Sequence, residues 1–445
     1  MLGHPLRVLA PLVVTLLALG LLGTAAPAGA ASADDPQLVL TAPGTARIGR
    51  TMTVQAAFQD DDQRVTSGLG VSLQRQGDGG AWTTIADGVT ASDGTAGLSV
   101  VPVAGPQQLR ARISVGDLQV TSVPVSLEGI MVSSDVHLHG SDSVVDEQSG
   151  HLSVLWLGSD GYAVKGRVAV YFHKSGQPWT RLGSVITSAG GRAYLTISPR
   201  WDTSYQLRAE SGPGWRSDTS PTWKVDNRPP LRPVTLPSGA SRPHTLLAQY
   251  RASGDGPNIA VHLISDTVWK RMFGRSWHPG CPIGRGSLRY VTVNYWGFDG
   301  YRHRGELVVR DAAVSKFKVA LTKLYDAQVP IRSMYLPDRF GRNPSSPGAN
   351  DLQSMKHDNT SAFNCRGVTG DPGTMSPHSY GRSIDINPWE NPFHSHVGWL
   401  PTKWWAHKQA GKYAWKYRSS LVVKLMTSAG FRWTYATTDS QHFDG

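Results

Sequence analysis

The chain has 445 residues and a formal net charge of +11, too long for one hydrophobic core, so about two to four domains are expected. From residue 241 onward 26 Lys and Arg stand against 14 Asp and Glu, so the C-terminal part carries essentially all of the excess. That charge suits an anionic partner such as wall polymers or a membrane surface, and no finger, RNP or helix-turn-helix pattern supports nucleic acid.

Residues Met1 to Ala31 read as a signal peptide. Arg7 and the amino terminus precede an apolar run from about Val8 to Leu22, and small residues follow at Ala28-Gly29-Ala30-Ala31. The run is short for a span of roughly 20 residues. An uncleaved anchor is the alternative, and no later segment is apolar enough to cross a bilayer. The mature chain is therefore expected outside the cell, associated with the wall. There two cysteines in one domain, Cys281 and Cys365, are expected to pair. The other reading, a nucleophile or zinc ligand at Cys365, lacks a CxxC to support it.

Residues 35–128 read as a first β module. Short alternating runs such as Met52-Thr53-Val54-Gln55-Ala56 and Leu98-Ser99-Val100 lie between turns rich in Gly, Asp and Ser. Residues 129–225 repeat it. Val71, Trp82, Gly94, Ala96 and Leu98 recur as Val168, Trp179, Gly191, Ala193 and Leu195, a constant offset of 97. A shared offset over so many positions indicates tandem duplication. Both modules resemble bacterial immunoglobulin-like sandwiches. They serve as spacers or as binders of glycan or protein, a choice the fold alone does not make. Five prolines between 226 and 243 mark a semi-rigid linker.

The pattern changes over 244–445. Leu288–Phe298, Glu306–Val309, Ile331–Leu336 and Phe431–Tyr435 read as strands. Apolar residues at 313, 314, 317, 320, 321 and 324 predict a helix over 312–327, and 419–429 predicts a second, ended by Gly430. Interleaved strands and helices give one α+β domain.

His378 and Asp385 stand seven apart, with Gly381 between them and Ile384 and Ile386 flanking the carboxylate. This predicts a loop entering a strand. Asp439 and His442 lie near the end of the chain. Two His and an Asp make a three-ligand zinc site with a position left for water, and one carboxylate remains as a base. The spacing alone is weak, since fifteen His give accidental pairs.

Four ordered motifs sharpen the reading. Ser376-Pro377-His378-Ser379-Tyr380-Gly381-Arg382-Ser383-Ile384-Asp385 resembles the SxHxxGxAxD signature of the VanY-like and L-alanyl-D-glutamate zinc peptidases of family M15. Gly305-Glu306-Leu307-Val308-Val309, Asn359-Thr360-Ser361-Ala362-Phe363-Asn364-Cys365-Arg366 and Asp439-Ser440-Gln441-His442-Phe443 resemble three further motifs of that family. The resemblance implies Zn²⁺ on His378, Asp385 and His442, with Asp439 as base. It implies Arg366 holding a substrate carbonyl or carboxylate, and Ser376 and Tyr380 lining the site. A Cys281–Cys365 disulfide beside Arg366 fits it. Two departures stand out: Ser383 replaces the family's Ala, and Trp433 to Thr438 replaces a Gly-Gly-Asp-Trp stretch.

The expected architecture is thus two all-β immunoglobulin-like sandwiches followed by an α+β zinc peptidase domain. The expected function is secreted cleavage of peptidoglycan peptides, as a D,D-carboxypeptidase or an L-Ala-D-Glu-type endopeptidase. The alternative is a wall-binding adhesin with a degenerate peptidase-like domain. The basic, aromatic insert Leu400 to Arg418 reads as a surface flap with core Trp residues or as a groove wall.

Overall fold

The computed structural model describes residues 36–60, 67–116, 118–246, 249–368 and 371–445. The leader expected over Met1 to Ala31 lies outside the described residues.

Among the described residues the first module has nine strands: β1 (Gln37–Thr41), β2 (Thr45–Arg47), β3 (Met52–Gln59), β4 (Gly70–Gln76), β5 (Trp82–Val89), β6 (Thr95–Val100), β7 (Gly105–Val115), β8 (Leu118–Thr121) and β9 (Val125–Ile130). One sheet runs β1-β3-β6 and the other β2-β9-β7-β4-β5. Period-two alternation decides the faces. Val54, Ala56 and Phe58 of the first sheet share a core with Leu73, Leu109 and Leu127 of the second.

The second module repeats this with β10 (Ser134–Gly140), β11 (Ser143–Val145), β12 (Gly150–Gly158), β13 (Arg167–Lys174), β14 (Thr180–Ile186), β15 (Arg192–Ile197), β16 (Thr203–Ala209), β17 (Asp218–Thr219) and β18 (Trp223–Arg228). Its sheets run β10-β12-β15 and β11-β18-β16-β13-β14, the same order strand for strand. Even the parallel edge recurs, with Thr45 opposite Glu128 in one module and Ser143 opposite Asp226 in the other. The sequence duplication is therefore a duplicated topology. That edge pairing carries the last strand of each module past the expected boundaries at 128 and 225, to Ile130 and Arg228.

The Pro-rich segment behaves differently from a free spacer. Leu231 and Val234 donate their N–H groups to the carbonyls of Gly300 and Phe298, at 3.1 and 2.8 Å. Val234, Leu236 and Ala240 pack against Phe298, Trp389, Trp405 and Tyr413. Proline removes donors, but the donors that remain find carbonyls on the domain that follows.

That domain carries β19 (Ala260–Leu263), α1 (Asp266–Met272), β20 (Leu288–Gly297), β21 (Arg302–Arg310), α2 (Val314–Asp326) and β22 (Pro330–Ile331). A sheet of order β19-β20-β21, with β22 parallel to β20, forms its base. The helix α2 presents Phe317, Ala320, Leu321 and Leu324 to it. Farther on come α3 (Asp351–Lys356), β23 (Gly367–Val368), β24 (Asp371–Met375), β25 (Ser383–Asp385), β26 (Phe393–Ser395), β27 (Gly398–Leu400), α4 (Leu421–Ser428) and β28 (His442–Asp444). Ile384, Phe431, Trp433 and Phe443 join α2 and α4 in one core.

Two expected strands are shorter than read. Over 331–336 the strand stops at Ile331, and Ser333 adds a single bridge to Asn359. The N–H groups of Met334 and Tyr335 go instead to the side chains of Gln249 and Asn359, at 2.9 and 2.7 Å. The stretch 431–435 makes one bridge, Arg432 to Asp444, before a 3₁₀ turn at Ala436–Thr438. In the insert 400–418, Trp405 and Trp415 are fully buried and Tyr413 nearly so, so this segment contributes core.

Candidate metal centre

Three segments build the site. The turn Pro377–Tyr380 starts at Ser376, whose Oγ accepts from the His378 N–H at 3.4 Å. The turn ends at Gly381, whose φ of +67° suits glycine. A Cβ there would lie 2.8 Å from the Arg310 nitrogen, so the close approach also requires glycine. Next, β25 and β28 pair antiparallel and set Asp385 directly opposite His442, Ile384 opposite Phe443, and Ser383 opposite Asp444. Alternation sends Ile384 and Phe443 into the core and the four polar side chains to the other face. The stretch 359–366 lies alongside, with Ser361 exchanging backbone hydrogen bonds with Asp385 at 2.9 and 3.1 Å.

His378, Asp385 and His442 converge. His378 Nε2 lies 3.0 Å from Asp385 Oδ2 and 3.1 Å from His442 Nδ1, and His442 Nδ1 lies 3.0 Å from Asp385 Oδ1. Bonds of 2.0–2.1 Å to a tetrahedral zinc put neighbouring donor atoms about 3.3 Å apart. All three side chains are buried.

The outer nitrogens are committed. His378 Nδ1–H donates to the Ala362 carbonyl at 2.6 Å, and His442 Nε2–H donates to Asp444 Oδ1 at 3.0 Å. The inner nitrogens therefore present lone pairs, beside a carboxylate. Two lone pairs and an anion at 3 Å repel one another unless a cation or a proton sits among them. Electrostatics point the same way. Burial works against the charged Asp385 carboxylate, yet His378 and His442 hold its pKa well below the usual range. Burial also opposes a charged His442, but hydrogen bonds to Asp385 and Asp444 raise its pKa to about 10. A metal cation would take the place of that proton. The donor set thus fits a divalent ion that favours nitrogen and oxygen ligands.

These residues sit in a cavity of about 300 Å³ whose wall includes Arg366, Ser376, Asp439 and Gln441. Burial, with a smaller push from Asp385, raises the Asp439 carboxyl to about 7 against the pull of His442. Its Oδ1 is buried without a hydrogen-bond partner. Arg366 is buried and pairs with Asp351 Oδ2 at 2.8 Å. Tyr380 is 38% exposed and lies off the cavity wall. Cys281 and Cys365 are joined as a disulfide, so Cys365 is neither nucleophile nor ligand. The bond anchors the chain immediately before Arg366.

Sequence reading missed Asp351, Ala362, Gln441 and Asp444. Ala362 acts through its carbonyl, which leaves no side-chain signal. Asp444 was readable in principle, two residues after His442 and so on the same face of a strand.

Residues 369–445 match the sequence model of a family described as D-alanyl-D-alanine carboxypeptidase. The match spans the three converging side chains and Asp439, and leaves out Arg366, the disulfide and the β modules. No curated protein matches the chain. The C-terminal domain is accordingly similar to the D,D-carboxypeptidases of the M15 peptidases.

Proposed function

We propose that the protein is an exported zinc peptidase that cleaves the peptide stems of peptidoglycan. The observation that carries this reading is the convergence of His378, Asp385 and His442 in a cavity that also holds Asp439 and Arg366. His378 Nε2, His442 Nδ1 and the Asp385 carboxylate would hold zinc, which supplies Lewis acidity toward a carbonyl and toward water at neutral pH. Asp439 accepts the proton of the attacking water and returns it to the departing amine as the C–N bond breaks. Its raised pKa suits both directions of transfer near pH 7. Arg366, held by Asp351, offers N–H groups to the substrate's carbonyl or carboxylate. Ser376 shapes the wall through the turn that carries His378.

The family description favours the terminal D-alanyl bond. An L-Ala-D-Glu-type endopeptidase is the second reading, since the motifs around His378 and over 359–366 resemble a family that holds both activities. The basic charge after residue 241 suits anionic wall polymers as a docking partner. An adhesin with a degenerate domain has no use for a complete ligand set with its base.

Replacing His378 or Asp385 by Ala is expected to remove bound zinc and cleavage together, as measured by elemental analysis and by release of amine from peptidoglycan. Zinc at full stoichiometry in either variant would contradict the ligand assignment.

A further inference from the structure

The residue that departs from the family signature, Ser383, has a partner. Its Oγ donates to Asp444 Oδ1 at 2.7 Å, the same oxygen that accepts His442 Nε2–H at 3.0 Å. Thr434 Oγ1 donates to the other oxygen, Oδ2, at 2.6 Å. The backbone of Asp444 is fixed on both sides, by the β25–β28 ladder and by reciprocal hydrogen bonds with Arg432 at 2.7 and 2.9 Å. Every part of this carboxylate is therefore held before it meets the imidazole.

The consequence lies in which nitrogen of His442 is left free. An imidazole whose Nε2 carries the hydrogen offers Nδ1 as its lone pair, and Nδ1 is the atom that faces Asp385 and His378. His378 is arranged the other way, with Nδ1–H on a backbone carbonyl and Nε2 free. A backbone carbonyl cannot be altered by a side-chain exchange; the partner of His442 can.

We propose that Ser383 and Asp444 form a positioning pair that fixes the tautomer and ring angle of His442, so that its Nδ1 lone pair points at the metal. Asp444 acts on His442, and Ser383 acts through Asp444 by fixing the oxygen that His442 uses. Neither is a catalytic residue. The inference rests on the metal-site reading above, and the closing experiment separates the two.

The test is zinc affinity, measured by competition against a chromogenic chelator with the full chain. Asp444→Ala is expected to weaken binding by about 10- to 100-fold, the range seen for partners of metal-bound histidines. Asp444→Asn keeps an acceptor oxygen but loses the charge, and is expected to lose less. Ser383→Ala is expected to lose a few-fold, since the lost hydrogen bond lies one step away from the imidazole and only part of its worth reaches the metal. The double variant is expected to match Asp444→Ala alone. The cobalt-substituted forms should show displaced absorption bands in the Asp444 variants, which a general loss of stability would not produce. Should Asp444→Ala fail to fold, by circular dichroism, the near-isosteric Asp444→Asn carries the test. Wild-type affinity and an unshifted cobalt spectrum in the Asp444 variants would overturn the proposal. So would a Ser383→Ala loss that persists in full when Asp444 is already Ala. If the unaltered protein binds no zinc, the metal-site reading itself fails.

Discussion

At the scale of single residues, the site divides its labour between carboxylates by environment. Asp385 is held ionised by two imidazoles, whereas Asp439 is pushed up to about 7 chiefly by burial. A base must be ionised to accept a proton, so kcat/KM should fall as the pH drops below about 7, with a midpoint no higher than that value. A profile flat from pH 5 to 8 would contradict the role of Asp439. Asp439→Asn should lower kcat by about 10²- to 10⁴-fold while zinc content stays at one per chain. These roles were only partly legible in the sequence. His378, Asp385 and His442 could be named because residue type and order carry the motif. Tyr380 was misplaced, because a one-residue step around a 3₁₀ turn decides whether a side chain faces the cavity or solvent. Asp351 could not be tied to Arg366, because the pairing joins the start of a one-turn helix to a loop and has no periodic signal.

At the scale of elements, the site hangs on a ladder of three residue pairs. Phe443 is fully buried and touches the core that α2 and α4 share. It fixes the register that sets His442 opposite Asp385, and a slip by one residue would turn His442 into the core. Phe443→Ala should destabilise the domain by about 3–5 kcal/mol, read as a lowered midpoint in chemical denaturation, and should weaken zinc binding as well. Unchanged stability would mean that the ladder is held from elsewhere. The long helix α2 was legible because its apolar positions repeat with a clear period, and β20 and the latter half of β21 because they are long runs rich in β-branched and aromatic residues. The short elements α1, α3 and β28 give fewer than two full periods, and their existence depends on tertiary partners. The 431–435 stretch has the composition of a strand but only one bridging partner, which composition cannot reveal.

At the scale of the whole molecule, the second module and the C-terminal domain share direct contacts. Glu147 pairs with Arg302 at 2.6 Å, and the Tyr301 hydroxyl donates to the Asn227 carbonyl. The Pro-rich segment adds apolar packing against Phe298 and Trp405. A chain beginning at residue 134 should therefore melt a few degrees above one beginning at residue 250, since Val234 and Leu236, partly buried, each contribute part of the about 1.5–3 kcal/mol that full burial is worth. Equal melting temperatures would show that the segment is a passive tether. The duplication was plain from the constant offset, but these docking contacts rest on single residues and were invisible to pattern. The claim that unites all three scales is that this domain hydrolyses peptidoglycan peptides with His378, Asp385, His442 and Asp439. The most direct test is mass spectrometry of muropeptides after purified peptidoglycan is incubated with the protein. The expected result is a new, defined peptide terminus that is abolished by a chelator, restored by zinc and absent with Asp439→Asn. An unchanged muropeptide profile from zinc-loaded, folded protein would contradict it.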